Sequence, residues 1–558
     1  MFNRVRLIKL KPHLKVRSYS TSASKTSPLY YALAGAFIGA VAYKAGNLFL
    51  SVSQSVNTDS TLPLKNLPPP QYGSDEELRK AIGEIRGMFL QNTPEVIVDT
   101  KLVIDNTKET LDNHSDTYFN SHHATPEQRP KYVVFPRSTQ EVSEIMKICH
   151  KFKIPVVPTS GRSSLEGHFI PTRGGICIDI STMDNILQLN QTDLDITVQG
   201  GVGWETLADY LDDYHLLYAI DPGPGATISG CLANNASGTN ASRYGEAYKN
   251  VLNLTVVLAD GTIVKTKQRP RKSSAGYNLN SLFVGSEGTL GIITEATLKL
   301  HVKPAEESVV VVPFPSIRDA ADAVNSILLK GIQLGAIELL DDKMMKVINA
   351  SGETSRKWHE NPTLFLRLGG SNKEVVDVLN NQVKSIVNGH HSLDYQYAST
   401  ADDKTELWSA RKVALWSTIN QGKLVHPDVQ LWTTDAAVPI SKLPQFLTET
   451  KADIDSHGLT NTLVAHIGDG NAHSFILYRP EQRDVAETVV NNMVQRAIDY
   501  EGTCTGEHGI GLGKREYLVE EVGQVPVDVM RKIKLALDPL RIMNPDKVFK
   551  IDMNDKNH

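Results

Sequence analysis

The chain has 558 residues, a formal net charge of −5 at pH 7 and four cysteines. That length is too great for a single core and accommodates about three domains. The mildly acidic balance excludes a nucleic-acid-binding body. Cys149, Cys177, Cys231 and Cys504 are scattered, with no Cys-x-x-Cys, so neither a disulfide framework nor an iron–sulfur or zinc-ribbon site is implied.

No acidic residue precedes Asp59, whereas Arg4, Arg6, Lys9, Lys11, Lys15, Arg17 and Lys25 accompany a hydroxyl-rich run at 18–27. Residues 1–27 therefore have the composition of a mitochondrial presequence. Residues 29–43 then run apolar, and the run resumes after Lys44 as far as residue 50. A bilayer span needs about 20 such residues. Lys44 can carry its ammonium to the headgroups, so 29–50 is read as a transmembrane anchor, with Gly35 and Gly39 suited to packing in lipid. A presequence followed by such a stop leaves the body in the intermembrane space, tethered to inner-membrane lipid. The segment 51–125 begins as a stiff, exposed, proline-ended linker (51–70). It continues as a helix at 74–90 opened by a Ser74/Glu77 capping box.

Residues 126–304 read as a cofactor cradle. A strand within 129–137, a helix at 138–150 capped by Ser138 with Glu141, and a strand at 154–158 lead into the loop Thr159-Ser160-Gly161-Arg162-Ser163-Ser164. Its successive N–H groups, hydroxyls and one cation suit a pyrophosphate. Residues 221–245 carry hardly a bulky side chain between Leu232 and Arg243, so backbone can approach a flat ligand closely. A strand-turn-strand over 251–264, turning at Asp260-Gly261, precedes a third small-residue loop at 283–293. Three such loops suit a large, many-contact cofactor. A GxGxxG opening a helix, which a nicotinamide-binding Rossmann unit requires, is missing.

Residues 305–558 read as a substrate and metal domain, with strands at 308–314 and 363–368 and helices at 316–330 and 373–387. Within it, 465–475 reads AHIGDGNAHSF. Asp469-Gly470 is the pair favoured in a two-residue hairpin turn, which sets His466 directly across from His473. Opposed Cβ atoms lie about 5 Å apart, so two imidazoles converge in a divalent-metal geometry. Gly506-Glu507-His508-Gly509 supplies a third ligand, Glu507, and a base beside the metal, His508. Zinc is the first choice for two histidines and a carboxylate, and manganese or iron(II) fits the same set.

Five motifs, PTSGRSSLEGH (158–168), PGATISGCLANNASG (224–238), FVGSEGTLGIIT (283–294), AHIGDGNAHSF (465–475) and TGEHGIG (505–511), carry a resemblance. The chain from about residue 132 onwards resembles the mitochondrial, cytochrome-linked D-lactate dehydrogenases, a family built on the vanillyl-alcohol-oxidase-type FAD-binding fold. The resemblance implies an α+β architecture: a two-subdomain FAD-binding domain, then a substrate domain with an antiparallel sheet and flanking helices. It implies FAD contacts at Pro158, Thr159, Ser160, Gly161, Arg162, Ser163 and Ser164, and at Gly225, Thr227, Gly230, Asn234, Ser237 and Gly238. Further contacts are implied at Glu287, Gly288, Gly291, Ile293 and Asn544, the last on a helical segment at 529–547 returning to the flavin. Some relatives attach FAD covalently through a histidine in the first loop; Ser163 stands there, so the FAD is expected to dissociate.

The same resemblance implies that Arg411 binds the substrate carboxylate. Relatives acting on D-2-hydroxyglutarate hold its distal carboxylate with a lysine and an asparagine; this chain has Thr433 and Thr434 before Asp435, and Phe475 two residues after His473. A second carboxylate would be buried unpaired, at a cost of several kcal/mol, so D-lactate is the expected substrate. The expected reaction is oxidation to pyruvate, with the metal on the 2-hydroxyl, His508 accepting its proton and hydride passing to flavin N5. Activity is expected to fall as pH drops through the His508 pKa. Cytochrome c is the expected acceptor. A sugar-lactone oxidase would share the cradle and be told apart by its hydrogen peroxide.

Overall fold

Short apolar runs punctuated by glycine and proline build the first half of the chain in a computed structural model that describes residues 59–92 and 103–557. Tyr132–Val134, Ile176–Asp179 and Val156–Thr159 form a parallel sheet with Ile176–Asp179 central, and Ile104–Asp105 adds an antiparallel edge. Helix Thr139–Phe152 starts where the Ser138 hydroxyl accepts the Glu141 N–H. The Glu141 carboxylate takes the Arg137 N–H at 2.6 Å, one residue before the cap. The expected reciprocal box is therefore closed a residue upstream. Val142, Ile145, Met146 and Cys149 recur at helical spacing and pack against Leu78, Ile82 and Ile85 of helix Asp75–Asn92. Each such buried aliphatic side chain contributes about 2 kcal/mol. That helix opens with the expected Ser74/Glu77 box, its hydrogen bonds 2.6 and 3.3 Å.

A second, antiparallel sheet runs in the order Ile186–Asn190, Asp195–Gln199, Ile292–Lys299, Val251–Val257, Ile263–Lys265. Its last pair is the strand-turn-strand expected around Asp260-Gly261. The large sheet of the second half is antiparallel throughout its pairings. Its order is Gln396–Tyr397, Glu306–Pro313, Thr363–Gly370, Ala336–Leu340, Thr460–His466, Asn471–Tyr478, Gln430–Thr433. Successive side chains alternate between its faces. Val310, Val312, Leu364 and Leu366 pack on helices Ile317–Leu329 and Lys373–Gly389. Val309, Val311, Leu340 and Phe365 pack on Leu407, Trp408 and Ala414 of helix Ala401–Val425.

Two expectations are corrected. The helix expected over 529–547 is Gln524–Leu537. Pro539 disfavours helical backbone at Asp538, whose carboxylate instead accepts the Ile542 and Met543 N–H groups. The chain then returns to the first sheet as an irregular segment, with Val156 and Met543 forming a parallel bridge. Residues 60–70, expected as a stiff, exposed linker, keep Ser60, Lys65, Asn66, Pro68 and Pro69 exposed but are strapped to the body. Leu62 N–H donates to Asp528 O at 3.0 Å, Arg531 donates to Leu62 O at 2.9 Å and Arg541 to Pro68 O at 2.8 Å. The presequence and the anchor at 29–50 lie outside the described residues, among which no helix is long and apolar enough to cross a membrane.

Candidate active site and metal cage

The hairpin carrying the two histidines differs in register from the sequence expectation. His466 pairs with Asn471, and His473 pairs with Val464. The connection is thus residues 467–470, in which the Asp469 and Gly470 N–H groups both donate to His466 O. A two-residue type I′ turn needs positive φ at both Asp469 and Gly470; only Gly470 adopts it, at +91°. Convergence survives because residues two apart share a sheet face. His473, across from Val464, lies on the same face as His466, and the ring centroids are 5.5 Å apart at 84°.

Both imidazoles are held by Nδ1. His466 Nδ1 lies 2.7 Å from Glu338 Oε1 and His473 Nδ1 lies 2.9 Å from Thr434 O. Both partners are acceptors, which places the Nδ1 protons and turns each Nε2 inward, where it can ligate once it carries no proton of its own. There they meet one carboxylate: Glu507 Oε1 is 2.9 Å from His473 Nε2 and 3.6 Å from His466 Nε2. Burial alone would raise the Glu507 carboxyl, but the two imidazoles hold it well below the usual range. Burial would depress His466, but Glu338 and Glu507 raise it well above an ordinary imidazole. A cage that draws positive charge this strongly, with two Nε2 atoms and a carboxylate oxygen converging, fits a divalent cation.

Asp435, His473 and His508 also come within ligand range of one another. A cation there would face Lys514 Nζ, 3.6 Å from Asp435 Oδ2. That oxygen already accepts from Thr505 Oγ1 (2.6 Å) and from the Glu507 and His508 N–H groups (both 3.0 Å). Asp435 therefore shapes the 505–508 loop. Glu507 Oε2 accepts from Ser237 Oγ at 2.6 Å, joining this loop to the cradle. Ile510 and Gly511 donate their N–H groups to the Glu287 carboxylate, both at 2.7 Å.

A cavity of about 600 Å³ runs from the cage into the cradle. Residues 158–164 of the first loop all line it, with Thr227, Gly230, Asn234 and Gly238 of the second and Glu287, Gly288, Gly291 and Ile293 of the third. Asn544 reaches it from the returning segment and holds two of its loops, donating Nδ2 to Glu287 O (2.7 Å) and His168 O (3.0 Å). Gly225 and Ser237 stand outside the lining: the Gly225 N–H goes to Glu205, and Ser237 goes to Glu507. Arg162, expected to face a pyrophosphate, is turned to Asp179 and His114. Ser160 Oγ, Thr227 Oγ1, Asn544 Oδ1 and His168 Nδ1 are buried on this wall without a hydrogen-bond partner among the described residues, whereas His168 Nε2 faces Glu287 Oε2 at 3.2 Å. Burying polar atoms unpaired is costly, so the cradle fits a long, polar cofactor such as FAD.

At the cage end, His508 lies on the wall with its Nδ1 buried and without a hydrogen-bond partner among the described residues, and its ring stacks on His473 at 5.0 Å. Burial pushes its pKa down to about 4. Arg411 lines the same end, its Nε–H donating to Glu338 Oε2 at 2.8 Å. Phe475 and its cross-strand partner Thr433 also face the cavity. Sequence reasoning missed Glu338, the carboxylate behind both His466 and Arg411, and the anchoring part played by Asp435.

A three-loop cradle closed by a histidine-bearing hairpin defines a flavin-linked oxidoreductase. The sequence pattern of the FAD binding domain matches residues 130–267, and that of the FAD linked oxidases, C-terminal domain, matches residues 303–548. The mitochondrial D-lactate dehydrogenase [cytochrome] of Kluyveromyces lactis is 54% identical, with 96% of this chain and 92% of that protein covered. Its namesake from Arabidopsis thaliana is 40% identical over 83% of this chain and 82% of that protein. The 4-ethylphenol oxidase of Gulosibacter chungangensis shares the fold at 18% identity, with a TM-score of 0.70 over 87% of this chain and 99% of that one. The chain belongs to the FAD-linked oxidase family, in its mitochondrial D-lactate dehydrogenase (cytochrome) branch.

Proposed function

We propose that this protein oxidises D-lactate to pyruvate and delivers the electrons to cytochrome c. The observation that carries the reading is the convergence of His466 Nε2, His473 Nε2 and the Glu507 carboxylate at one end of the cavity that the three cradle loops line. Its relatives' names support the substrate and the acceptor. Held non-covalently along the cradle, FAD supplies the two-electron acceptor at N5. A divalent cation, zinc in the first instance, supplies a Lewis acid at the cage and lowers the pKa of a hydroxyl bound to it.

The chain's own residues do the rest. Arg411, fixed through its Nε–H by Glu338, pairs with the substrate carboxylate; a guanidinium is the suitable planar partner. His508 takes the hydroxyl proton; burial, which pushes its pKa down to about 4, leaves it neutral at neutral pH. Thr433 and Phe475 give a methyl group, rather than a second carboxylate, its neighbours on the wall. Residues 29–50 anchor the chain in the inner mitochondrial membrane, with the body in the intermembrane space.

Anaerobic mixing of the yellow holoprotein with a panel of D- and L-2-hydroxy acids tests the reading. Rapid bleaching of the flavin by D-lactate, slow bleaching by L-lactate and D-2-hydroxyglutarate, and no hydrogen peroxide in air are expected. Equal bleaching by D-2-hydroxyglutarate would sink the substrate assignment, and stoichiometric peroxide the acceptor. Alkaline carbonate extraction of mitochondria should leave the protein in the membrane pellet; recovery in the supernatant would dismiss the anchor.

A further inference from the structure

We infer that Glu338 is a positioning residue whose single carboxylate holds both the metal-binding imidazole of His466 and the substrate-binding guanidinium of Arg411, so that cation site and carboxylate clamp are assembled together. The inference rests on the roles proposed above for His466 and Arg411.

Glu338 is the one charged residue of the strand Ala336–Leu340, every residue of which is buried. An acid placed there without partners costs several kcal/mol. Each oxygen has one partner: Oε1 faces His466 Nδ1 at 2.7 Å and Oε2 faces Arg411 Nε at 2.8 Å. Two features of the fold bring them together. The strand pairs with Thr460–His466 through Leu339 to Ala465 and Leu340 to Val464, which sets Glu338 level with His466. On the same strand face, Ala336 and Leu340 pack among Leu407, Trp408 and Ala410, the turn of helix that carries Arg411.

Only a carboxylate satisfies both neighbours, since each presents an N–H. A glutamine offers one acceptor and one donor. If its oxygen faced Arg411, its amide N–H would face His466 Nδ1 and drive the ring proton to Nε2, which then could not ligate. If its oxygen faced His466, its amide N–H would meet the Arg411 Nε–H and displace the guanidinium. Glu338→Gln must therefore damage cation binding or substrate binding, while a residue that merely filled space would spare both.

The test uses the full-length, FAD-loaded protein and zinc as probe. Wild type, Glu338→Gln and Glu338→Asp are dialysed against graded zinc buffers for zinc bound per FAD, and KM and kcat for D-lactate are then measured at saturating zinc. Outer partners of metal ligands commonly change affinity by about 10–100-fold. The zinc Kd or the KM of Glu338→Gln is expected to rise at least tenfold with FAD content unchanged. Glu338→Asp keeps the charge on an arm too short to span both partners, and it carries the same expectation should the amide variant not fold. A zinc Kd and a KM both within twofold of wild type would overturn the proposal. His466→Ala separates the two levels: if it binds zinc as wild type does, the metal assignment itself has failed.

Discussion

Ser237 and Glu507, 270 residues apart in sequence, meet in a 2.6 Å hydrogen bond. One belongs to the second small-residue loop of the cradle and the other to the cluster of His466, His473 and Glu507. The bond fixes the carboxylate that both imidazoles face relative to the cradle wall. The two ends of the cavity are therefore registered by a direct contact.

Ser237→Ala removes that donor from a charged acceptor, an interaction worth about 1.5–3 kcal/mol. Zinc affinity, measured by competition with a chromophoric chelator, is expected to fall about tenfold with the flavin still bound. Unchanged zinc affinity would show that the bond does not orient Glu507.

His508→Asn keeps a polar side chain of similar reach but no base. Turnover with D-lactate should drop by about 10²–10⁴-fold, while the yellow colour and zinc content persist. Near-normal turnover would take His508 out of the base role.

Asp435→Ala removes the oxygen that takes the Thr505, Glu507 and His508 donors, and one of the two carboxylates 3.6 Å from Lys514 Nζ, the other being Glu166. Leaving a buried donor unpaired costs about 1–3 kcal/mol. The thermal midpoint should fall by several degrees, and the 505–508 backbone should lose protection in hydrogen exchange. A midpoint equal to wild type would show that the loop is shaped by something else.

His301 sets an acid limit on stability away from the cage. Burial, with help from Lys299, Arg271 and Arg243, pushes its pKa down to about 4, and its ring contacts Asn250 and Tyr244. The unfolded chain takes up a proton near pH 6.5, whereas the folded one does not until about pH 4. Stability from this group is therefore full above pH 6.5 and is lost as pH falls towards 4. His301→Gln should lessen the drop in thermal midpoint between pH 7 and pH 5; an unaltered drop would exclude His301 as a source.

What the sequence revealed follows from how local each signal was. The cradle was legible because its small residues stand together in three runs, each a loop in itself. The meeting of His466 and His473 was legible because sheet faces repeat every two residues, so an error in register left the shared face intact. Glu338 was hidden: one acid in the run AIELL carries no periodic signal, and its partner His466 lies 128 positions away. Asp435 was noticed only as a landmark for a substituted lysine, since its partners Thr505, Glu507 and His508 are about 70 residues distant. The stop at Leu537 stands plainly in Asp538-Pro539, whereas the segment 529–547 rests on the family resemblance alone.

The bridge between Val156 and Met543 dictates an order of events. The outer edge of the first sheet, and the amide of Asn544 that ties two loops of the cradle, come from chain that emerges only after the entire intervening half has been made. Capture of the cofactor must then wait for nearly complete synthesis and import. Until that moment the nascent protein would carry an unfinished β-edge, the kind of exposed surface that calls for a chaperone.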